Sequence, residues 1–174
     1  MEYALTVFNA LHDVGSEHGL RNAGYRAIET LRLEKGYRAW SSDIGPDHTP
    51  DEAGLSWAVK MKSKIPFKGR DAVKAQRENG IKKIMATFTC NGDVILSGRE
   101  TIYRNGERCG WLSSAGYGHT LKKNIGMGYV RSQEIMTKEE VLTGDYELEV
   151  ATVRVKAEVT LVPLFDPTMQ KIKV

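Results

Sequence analysis

Cysteine and histidine are scarce in this sequence. Its 174 residues include two cysteines, Cys90 and Cys109, and four scattered histidines. Two thiols this far apart, without a matching histidine pattern, fit neither a zinc site nor a disulfide framework. The sequence therefore predicts no metal site, and both cysteines are interpreted as small core residues of a protein from a reducing compartment.

Long apolar segments and nucleotide-binding loops are also missing. No apolar run approaches the roughly 20 residues that a transmembrane helix needs, so we expect no membrane partner. Residues 1–4 lack the features of a signal or transit peptide, and any targeting segment is expected upstream of this chain. No Gly-x-Gly-x-x-Gly follows a predicted strand, and neither a P-loop nor a nucleophile elbow is present. We therefore expect no dinucleotide site within the chain itself.

Charge of one sign does not dominate. The sequence contains 25 basic and 22 acidic residues, which give a net charge of +3. A nucleic-acid-binding face would cluster basic residues with stacking aromatics. The densest basic stretch, residues 60–68, alternates instead with apolar residues, which favours solvated strand faces. We expect no nucleic-acid partner, and contact with a polyanionic ligand tail is the weaker alternative for these lysines.

The first part of the sequence has the apolar spacing of helices. The predicted helices cover residues 3–18, 23–33 and 67–79, with glycine stops at Gly19, Gly36 and Gly80. In the second of them, Ala27, Leu31 and Ile28 are expected to face inward. These side chains would need a sheet or another helix to pack against.

Residues 49–61 separate the second and third predicted helices. Thr49-Pro50 combines a hydroxyl cap with a proline at the first helical position, which predicts a short helix. Residues 56–61 read as a strand. The segment has three or four helices but a single strand for them to cover, so we expect that part of its sheet lies in sequence upstream of this chain.

Strand patterns dominate after Gly80. Strands are predicted over residues 83–90, 100–104, 107–112, 125–130, 146–150 and 154–162. Asn105-Gly106 is the favoured two-residue type I′ turn and predicts a hairpin. Helices first and strands afterwards indicate an α+β fold, with a β-barrel or a sandwich from about residue 82.

Two groups of side chains are candidates for binding or chemistry. The aromatic candidates are Tyr25, Tyr37, Trp40 and Trp57, and the acidic ones are Asp43, Asp47, Asp51 and Glu52. Rings of this kind suit a flat heteroaromatic ligand. For Trp57 a structural role between helix and sheet is favoured, whereas Trp40 fits either role. Helix capping explains the acidic residues better than acid–base catalysis.

Four segments resemble the glycine cleavage T-protein family. Residues 27–35 resemble its Ser-Leu-Arg-Leu-Glu segment, and residues 49–60 resemble its Thr-Pro-x-Glu-Ala-Gly-Leu-x-Trp stretch. Residues 67–72 are similar to the family's next helix start, and residues 120–130 to its barrel signature. Each segment alone is weak evidence for the family. Together, in the right order over residues 3–170, the four segments are specific for it.

The resemblance implies a fold and a domain boundary. Residues 1–81 are expected to form the C-terminal part of a T-protein-like helical and sheet domain, which is incomplete. Residues 82–174 are expected to form an antiparallel β-barrel. The whole is predicted to be α+β.

Within this superfamily the sequence is closest to the sarcosine dehydrogenase branch, with dimethylglycine dehydrogenase as a near neighbour. Residues 19–28, 34–40 and 165–167 carry that likeness. It implies an intact mitochondrial matrix enzyme in which an N-terminal FAD domain oxidises an N-methyl amine. The T-protein-like half would hold tetrahydrofolate, which captures the one-carbon unit. This chain is expected to be the C-terminal portion, with folate and the upstream FAD domain as its partners.

The sequence departs from the T-protein pattern at several positions. The family's catalytic aspartate and pterin-contacting glutamate lie before the first helix, so no catalytic residue is assigned here. Ile28 stands where T-proteins have an arginine, and Met169-Gln170 replace a tyrosine pair. Trp40 takes the place of a loop tyrosine and is the best remaining candidate for lining the folate pocket. Alone, the chain is expected to bind tetrahydrofolate weakly or not at all, to bind no FAD and to oxidise no sarcosine.

Two functional interpretations remain open. The leading one is a portion of a flavin-linked sarcosine dehydrogenase that is inactive by itself. The second is a non-catalytic regulator on the same scaffold, like the regulatory subunit of pyruvate dehydrogenase phosphatase. An RNA-modification relative is discounted, because residues 67–71 do not match that branch's Lys-Gly-Cys-Tyr-x-Gly-Gln-Glu signature.

Overall fold

The computed structural model describes residues 2–173, in which four α-helices precede or join six β-strands. The helices are α1 Ala4–Gly15, α2 Tyr25–Lys35, α3 Arg70–Asn79 and α4 Lys138–Leu142. The strands are β1 Lys83–Cys90, β2 Thr101–Arg104, β3 Glu107–Gly118, β4 Lys123–Arg131, β5 Tyr146–Val150 and β6 Val153–Thr160. No helix in this described part of the chain has both the length and the apolar character needed to cross a membrane.

The six strands close into an antiparallel barrel. Their order around it is β1-β4-β3-β2-β5-β6, and the pairing of β6 with β1 completes the circle. Phe88, Ile102, Leu112 and Tyr146 are fully buried inside, where the rings of Phe88 and Tyr146 meet edge to face at 5.3 Å between centroids. The predicted α+β class with a C-terminal antiparallel β-barrel is confirmed.

Local sequence signals account for much of the barrel. Asn105 and Gly106 have φ angles of 54° and 83°, as a type I′ turn requires, and they join β2 to β3 as predicted. In β6, Val155, Ala157 and Val159 face the core while the intervening side chains face outward. Alternation along the strand therefore identified the buried face correctly.

Strand β4 is buried on both faces. Val130 faces the barrel interior, whereas Ile125 and Met127 pack outside against Leu33 of α2. A side chain at Gly128 would lie 3.0 Å from the Cα of Leu112, so β3 and β4 approach closely only because β4 carries glycine there.

Helix α2 meets the barrel in a different way from the predicted one. Leu31 and Ile28 are exposed, and Leu33 and Glu34 are the buried residues. The prediction of an inner face at Ala27, Leu31 and Ile28 is wrong, because only the last turn of α2 reaches the barrel. No residue of α1 is buried in the described structure, and its apolar side chains, Leu5, Val7, Phe8, Leu11 and Val14, are exposed.

The region between α2 and α3 is irregular. Residues 50–54 form hydrogen-bonded turns instead of the predicted helix, since Gly54 adopts a left-handed φ of 70° after one turn. The strand predicted for residues 56–61 is also wrong, because Ser56–Ala58 form a 3₁₀ turn. Trp57 is 81% exposed and so does not fill a joint between helix and sheet. The lysines of residues 60–68 lie on turns and loops, not on strand faces.

Candidate functional site

The segment of residues 36–55, called here the α2 loop, contributes to two neighbouring cavities on the outside of the barrel. The apolar cavity has a volume of about 590 Å³ and is lined by Lys35, Gly36, Tyr37, Arg38, Ile44, Leu55, Trp57, Pro163, Pro167 and Met169. The polar cavity has a volume of about 350 Å³ and is lined by Ser41, Ser42, Asp47, His48, Lys83, Arg99, Trp111, Ser113, Tyr129 and Arg131. The position of this loop therefore shapes both.

A buried ion pair fixes the α2 loop to the barrel. Asp43 is fully buried, and its Oδ2 accepts hydrogen bonds from Arg32 Nη1 at 2.8 Å and from the amide of Ala39 at 2.9 Å. The hydroxyl of Ser113 on β3 donates to the other carboxylate oxygen. Asp43 thus joins α2, the loop and β3, and the prediction that it caps a helix is wrong.

The carboxylates of two other acidic candidates, Asp51 and Glu52, also have structural partners. Arg77 of α3 donates two hydrogen bonds of 2.8 Å to the carboxylate of Asp51, and this hydrogen bonding holds the pKa of Asp51 below its ordinary value. Glu52 accepts from the amide of Thr49, whose hydroxyl accepts in turn from the amide of Glu52. These reciprocal hydrogen bonds have the pattern of a capping box but close a turn instead of starting a helix, and they explain Glu52, whereas pairing with an arginine explains Asp51.

Glu34 is a second anchor, which sequence reasoning missed. Its buried carboxylate accepts hydrogen bonds from the amides of Thr120 at 2.7 Å and Leu121 at 3.3 Å. These amides lie in the turn between β3 and β4, so Glu34 ties that turn to α2. A signal was present in the sequence, because an acidic residue in the last turn of a helix opposes the helix dipole and needs a compensating partner.

The apolar cavity combines flat rings with a restrained cation. Tyr37 and Trp57 contribute aromatic surface, and Met169 adds flexible apolar surface. Arg38 Nε donates to the carbonyl of Ala53 at 3.0 Å, and Arg38 Nη1 donates to the carbonyl of Gly36. Burial lowers the pKa of Arg38. The ordinary pKa of arginine is so high that the guanidinium nevertheless stays charged. A planar ligand with an electron-rich or anionic edge suits this lining.

The structure brings together two of the four aromatic candidates. Tyr37 and Trp57 line the apolar cavity, while Tyr25 is exposed on α2 outside it. Trp40 is 70% exposed and forms a short parallel bridge with Ile44, and it belongs to the lining of neither cavity. A folate contact at Trp40 stays a prediction.

The polar cavity is rich in cations and paired rings. Arg131 lies over the ring of Trp111, with its Cζ 4.3 Å from the ring centroid. The rings of His48 and Tyr129 stack at 4.5 Å with an interplanar angle of 17°. Burial, together with the positive charges of Lys83 and Arg131, lowers the pKa of His48, whereas burial raises that of Tyr129. At neutral pH both rings are therefore uncharged.

Both thiols are free and are expected to react slowly. Burial raises the pKa of Cys90, and it raises the pKa of Cys109 to about 11. At pH 8, alkylation of Cys109 by iodoacetamide should be roughly 100-fold slower than that of an ordinary thiol, because only the thiolate reacts. Peptide-resolved mass spectrometry measures this rate, and the urea-unfolded chain is the control. Equal rates in the folded and unfolded chain would contradict the expectation.

The structural comparison gives the fold, and two domain matches give the class of protein. The structure matches the crystal structure of the glycine cleavage system aminomethyltransferase T from Bartonella henselae with a TM-score of 0.78, over 91% of this chain and 44% of that one, at 24% sequence identity. Residues 1–63 match the GCVT N-terminal domain, and residues 83–166 match the glycine cleavage T-protein C-terminal barrel domain. The chain belongs to the glycine cleavage T-protein family.

Two curated relatives refine this placement. Mitochondrial sarcosine dehydrogenase from Mus musculus is 41% identical over 171 residues, which are 97% of this chain and 19% of the relative. The mitochondrial pyruvate dehydrogenase phosphatase regulatory subunit from Mus musculus is 35% identical over 176 aligned residues, covering 94% of this chain and 20% of the relative. The chain thus spans about a fifth of the length of these relatives.

Proposed function

We propose that this chain is the C-terminal folate-binding portion of a mitochondrial matrix sarcosine dehydrogenase. In that protein an upstream FAD domain oxidises the N-methyl amine, and tetrahydrofolate held beside this portion captures the one-carbon unit as methylene-tetrahydrofolate. The likeness to sarcosine dehydrogenase over nearly the whole chain favours this over the regulatory alternative, which shares less identity.

The apolar cavity is the observation that carries the proposal. Its volume of about 590 Å³ lies in the range of small-molecule sites, and its rings offer flat surfaces to a pterin or a benzoyl group. Arg38 places a cation at the wall, where it suits a carbonyl or carboxylate of the same ligand. The residues of this chain would bind and orient folate and exclude water, while the FAD domain supplies the oxidation.

The proposal predicts that damage to the cavity separates amine oxidation from one-carbon capture. In the intact protein that contains this chain, Trp57→Ala should leave sarcosine-dependent dye reduction unchanged, because Trp57 lies in the folate wall. The product should shift from methylene-tetrahydrofolate toward free formaldehyde by about tenfold, which corresponds to the loss of ring stacking worth about 1.4 kcal/mol. Tyr25→Ala removes an equally exposed ring outside the cavity and is the matched control.

Two outcomes would contradict the proposal, and one further variant tests Trp40. An unchanged product ratio in Trp57→Ala would contradict a folate site at the apolar cavity. Trp40→Ala, measured in the same assay, tests the predicted contact at Trp40. If the intact protein oxidises no N-methyl amine, the regulatory interpretation replaces the proposal.

A further inference from the structure

We propose that the polar cavity is a binding site for an oxyanion, which means a carboxylate or phosphate group. This site goes beyond the proposed function, because folate is assigned to the apolar cavity and not to the polar one. Its lining carries three cations, Lys83, Arg99 and Arg131, against the single carboxylate of Asp47. The excess of positive charge favours an anionic ligand.

Two of these cations are available to a ligand. Lys83 is already engaged, because its Nζ donates to the carbonyl of Asp47 at 2.7 Å and lies 3.5 Å from a carboxylate oxygen of Glu52. Within residues 2–173, neither Arg99 nor Arg131 forms an ion pair with a carboxylate. Arg131 is nevertheless held in place by the face of Trp111. A guanidinium that is positioned but unpaired can bind an oxyanion through two parallel hydrogen bonds.

Two buried polar atoms of the polar cavity also lack a hydrogen-bond partner among the described residues. Tyr129 is 4% exposed, and its hydroxyl lacks a hydrogen-bond partner among the described residues. The Nδ1 of His48, whose ring stacks on Tyr129, is likewise buried and unpartnered there. Buried polar atoms are nearly always hydrogen-bonded, and an oxyanion would accept from the hydroxyl and from a neutral imidazole N–H. Charge and unmet hydrogen bonding therefore indicate the same ligand chemistry.

The cavity limits the size of the ligand group. A volume of about 350 Å³ lies at the lower end of small-molecule sites, which suits a phosphate or a short dicarboxylate. Asp47 opposes the anion, so the chain provides a variant that should improve binding. Asp47→Asn removes that repulsion while keeping the shape of the side chain.

The test is titration of the full chain with inorganic phosphate and, separately, with glutarate, followed by the NMR signal of the Trp111 indole N–H. We expect saturable shifts, with Arg131→Gln weakening binding about tenfold through loss of a charge-assisted hydrogen-bond pair. Tyr129→Phe should weaken it about threefold through loss of one neutral hydrogen bond, with the ring stack retained. Asp47→Asn should tighten it severalfold.

The two probes distinguish the ligand classes. Tighter binding of glutarate would identify a carboxylate ligand, and tighter binding of phosphate would identify a phosphorylated ligand.

Lys156→Gln is the matched control, because it also removes one exposed cation, and Lys156 of β6 does not belong to the lining of the polar cavity. An unchanged far-ultraviolet circular dichroism spectrum shows that each variant is folded. Equal weakening in Lys156→Gln and Arg131→Gln would overturn the proposal, as would the absence of saturable shifts with both anions. Neither probe contains a ring, so these results do not depend on folate binding at the apolar cavity.

Discussion

Asp43→Ala is expected to lower the free energy of unfolding by about 3–5 kcal/mol, the usual cost of breaking a buried ion pair from one side. The variant leaves the guanidinium of Arg32, which is largely buried, with Glu29 as its only carboxylate partner in the described structure. It also removes the acceptor of the Ala39 amide and one of two acceptors of the Ser113 hydroxyl, the other being the carbonyl of Met127. Both cavities should lose their shape, because the long contact of 3.5 Å between the hydroxyls of Ser42 and Ser114 is a weaker link between the α2 loop and β3.

Urea unfolding measures this loss, and amide hydrogen exchange at Ala39 reports the release of the loop. Asp43→Asn separates the charge from the hydrogen bonds, since the amide oxygen still accepts from one donor. Asp93→Ala removes a carboxylate from an exposed bend and is the control. If Asp43→Ala costs no more than Asp93→Ala, the ion pair does not hold the loop.

Gly110→Ala should destabilise the barrel by about 3 kcal/mol or more, at the upper end of the cost of overpacking. A Cβ at Gly110 would overlap the carbonyl oxygen of Tyr129 and lie 3.2 Å from its carbonyl carbon. These are backbone atoms of the neighbouring strand, so no rotamer change relieves the clash. Strands β3 and β4 would have to separate at the point where Tyr129 reaches the polar cavity.

Thermal and urea unfolding of Gly110→Ala measure the effect. Gly24→Ala is the matched control, because a Cβ there meets no atom within 4 Å and the φ of −72° suits alanine. A loss in Gly110→Ala no larger than that in Gly24→Ala would show that β3 and β4 are not in close contact at this point.

Local patterns predicted most of the elements. The helix ends at Gly36 and Gly80 and the turn at Asn105-Gly106 are correct, because these conformations depend on neighbouring residues alone. Gly19 adopts the predicted left-handed conformation, although α1 itself ends at Gly15 and Gly19 follows a 3₁₀ turn. The same reasoning failed at residues 49–61, where a short helix signal is followed at once by a strand signal. The conformation of this segment depends on its tertiary contacts. It also failed for the inner face of α2, whose packing depends on how the helix approaches the barrel.

The family motifs led to the right fold but not to the cavity linings. Of the four aromatic candidates, Tyr37 and Trp57 line the apolar cavity. The sequence favoured Trp40 instead and gave Trp57 a structural role, because which rings share one cavity depends on the tertiary structure. Helix capping was predicted for Asp43 and no role for Glu34, because the residues that bind these buried carboxylates lie on other elements.

The sequence by itself determined the α+β class, the hairpin turn at Asn105-Gly106, the buried face of β6 and the family to which the chain belongs. All of these rest on short-range periodicity or on motifs of adjacent residues. Only the tertiary structure decided that Arg32, Asp43 and Ser113 form one anchor, and that Lys83, Arg99 and Arg131 line one cavity. The physical reason is that these side chains lie far apart along the chain, and closure of the barrel is what brings their charges together.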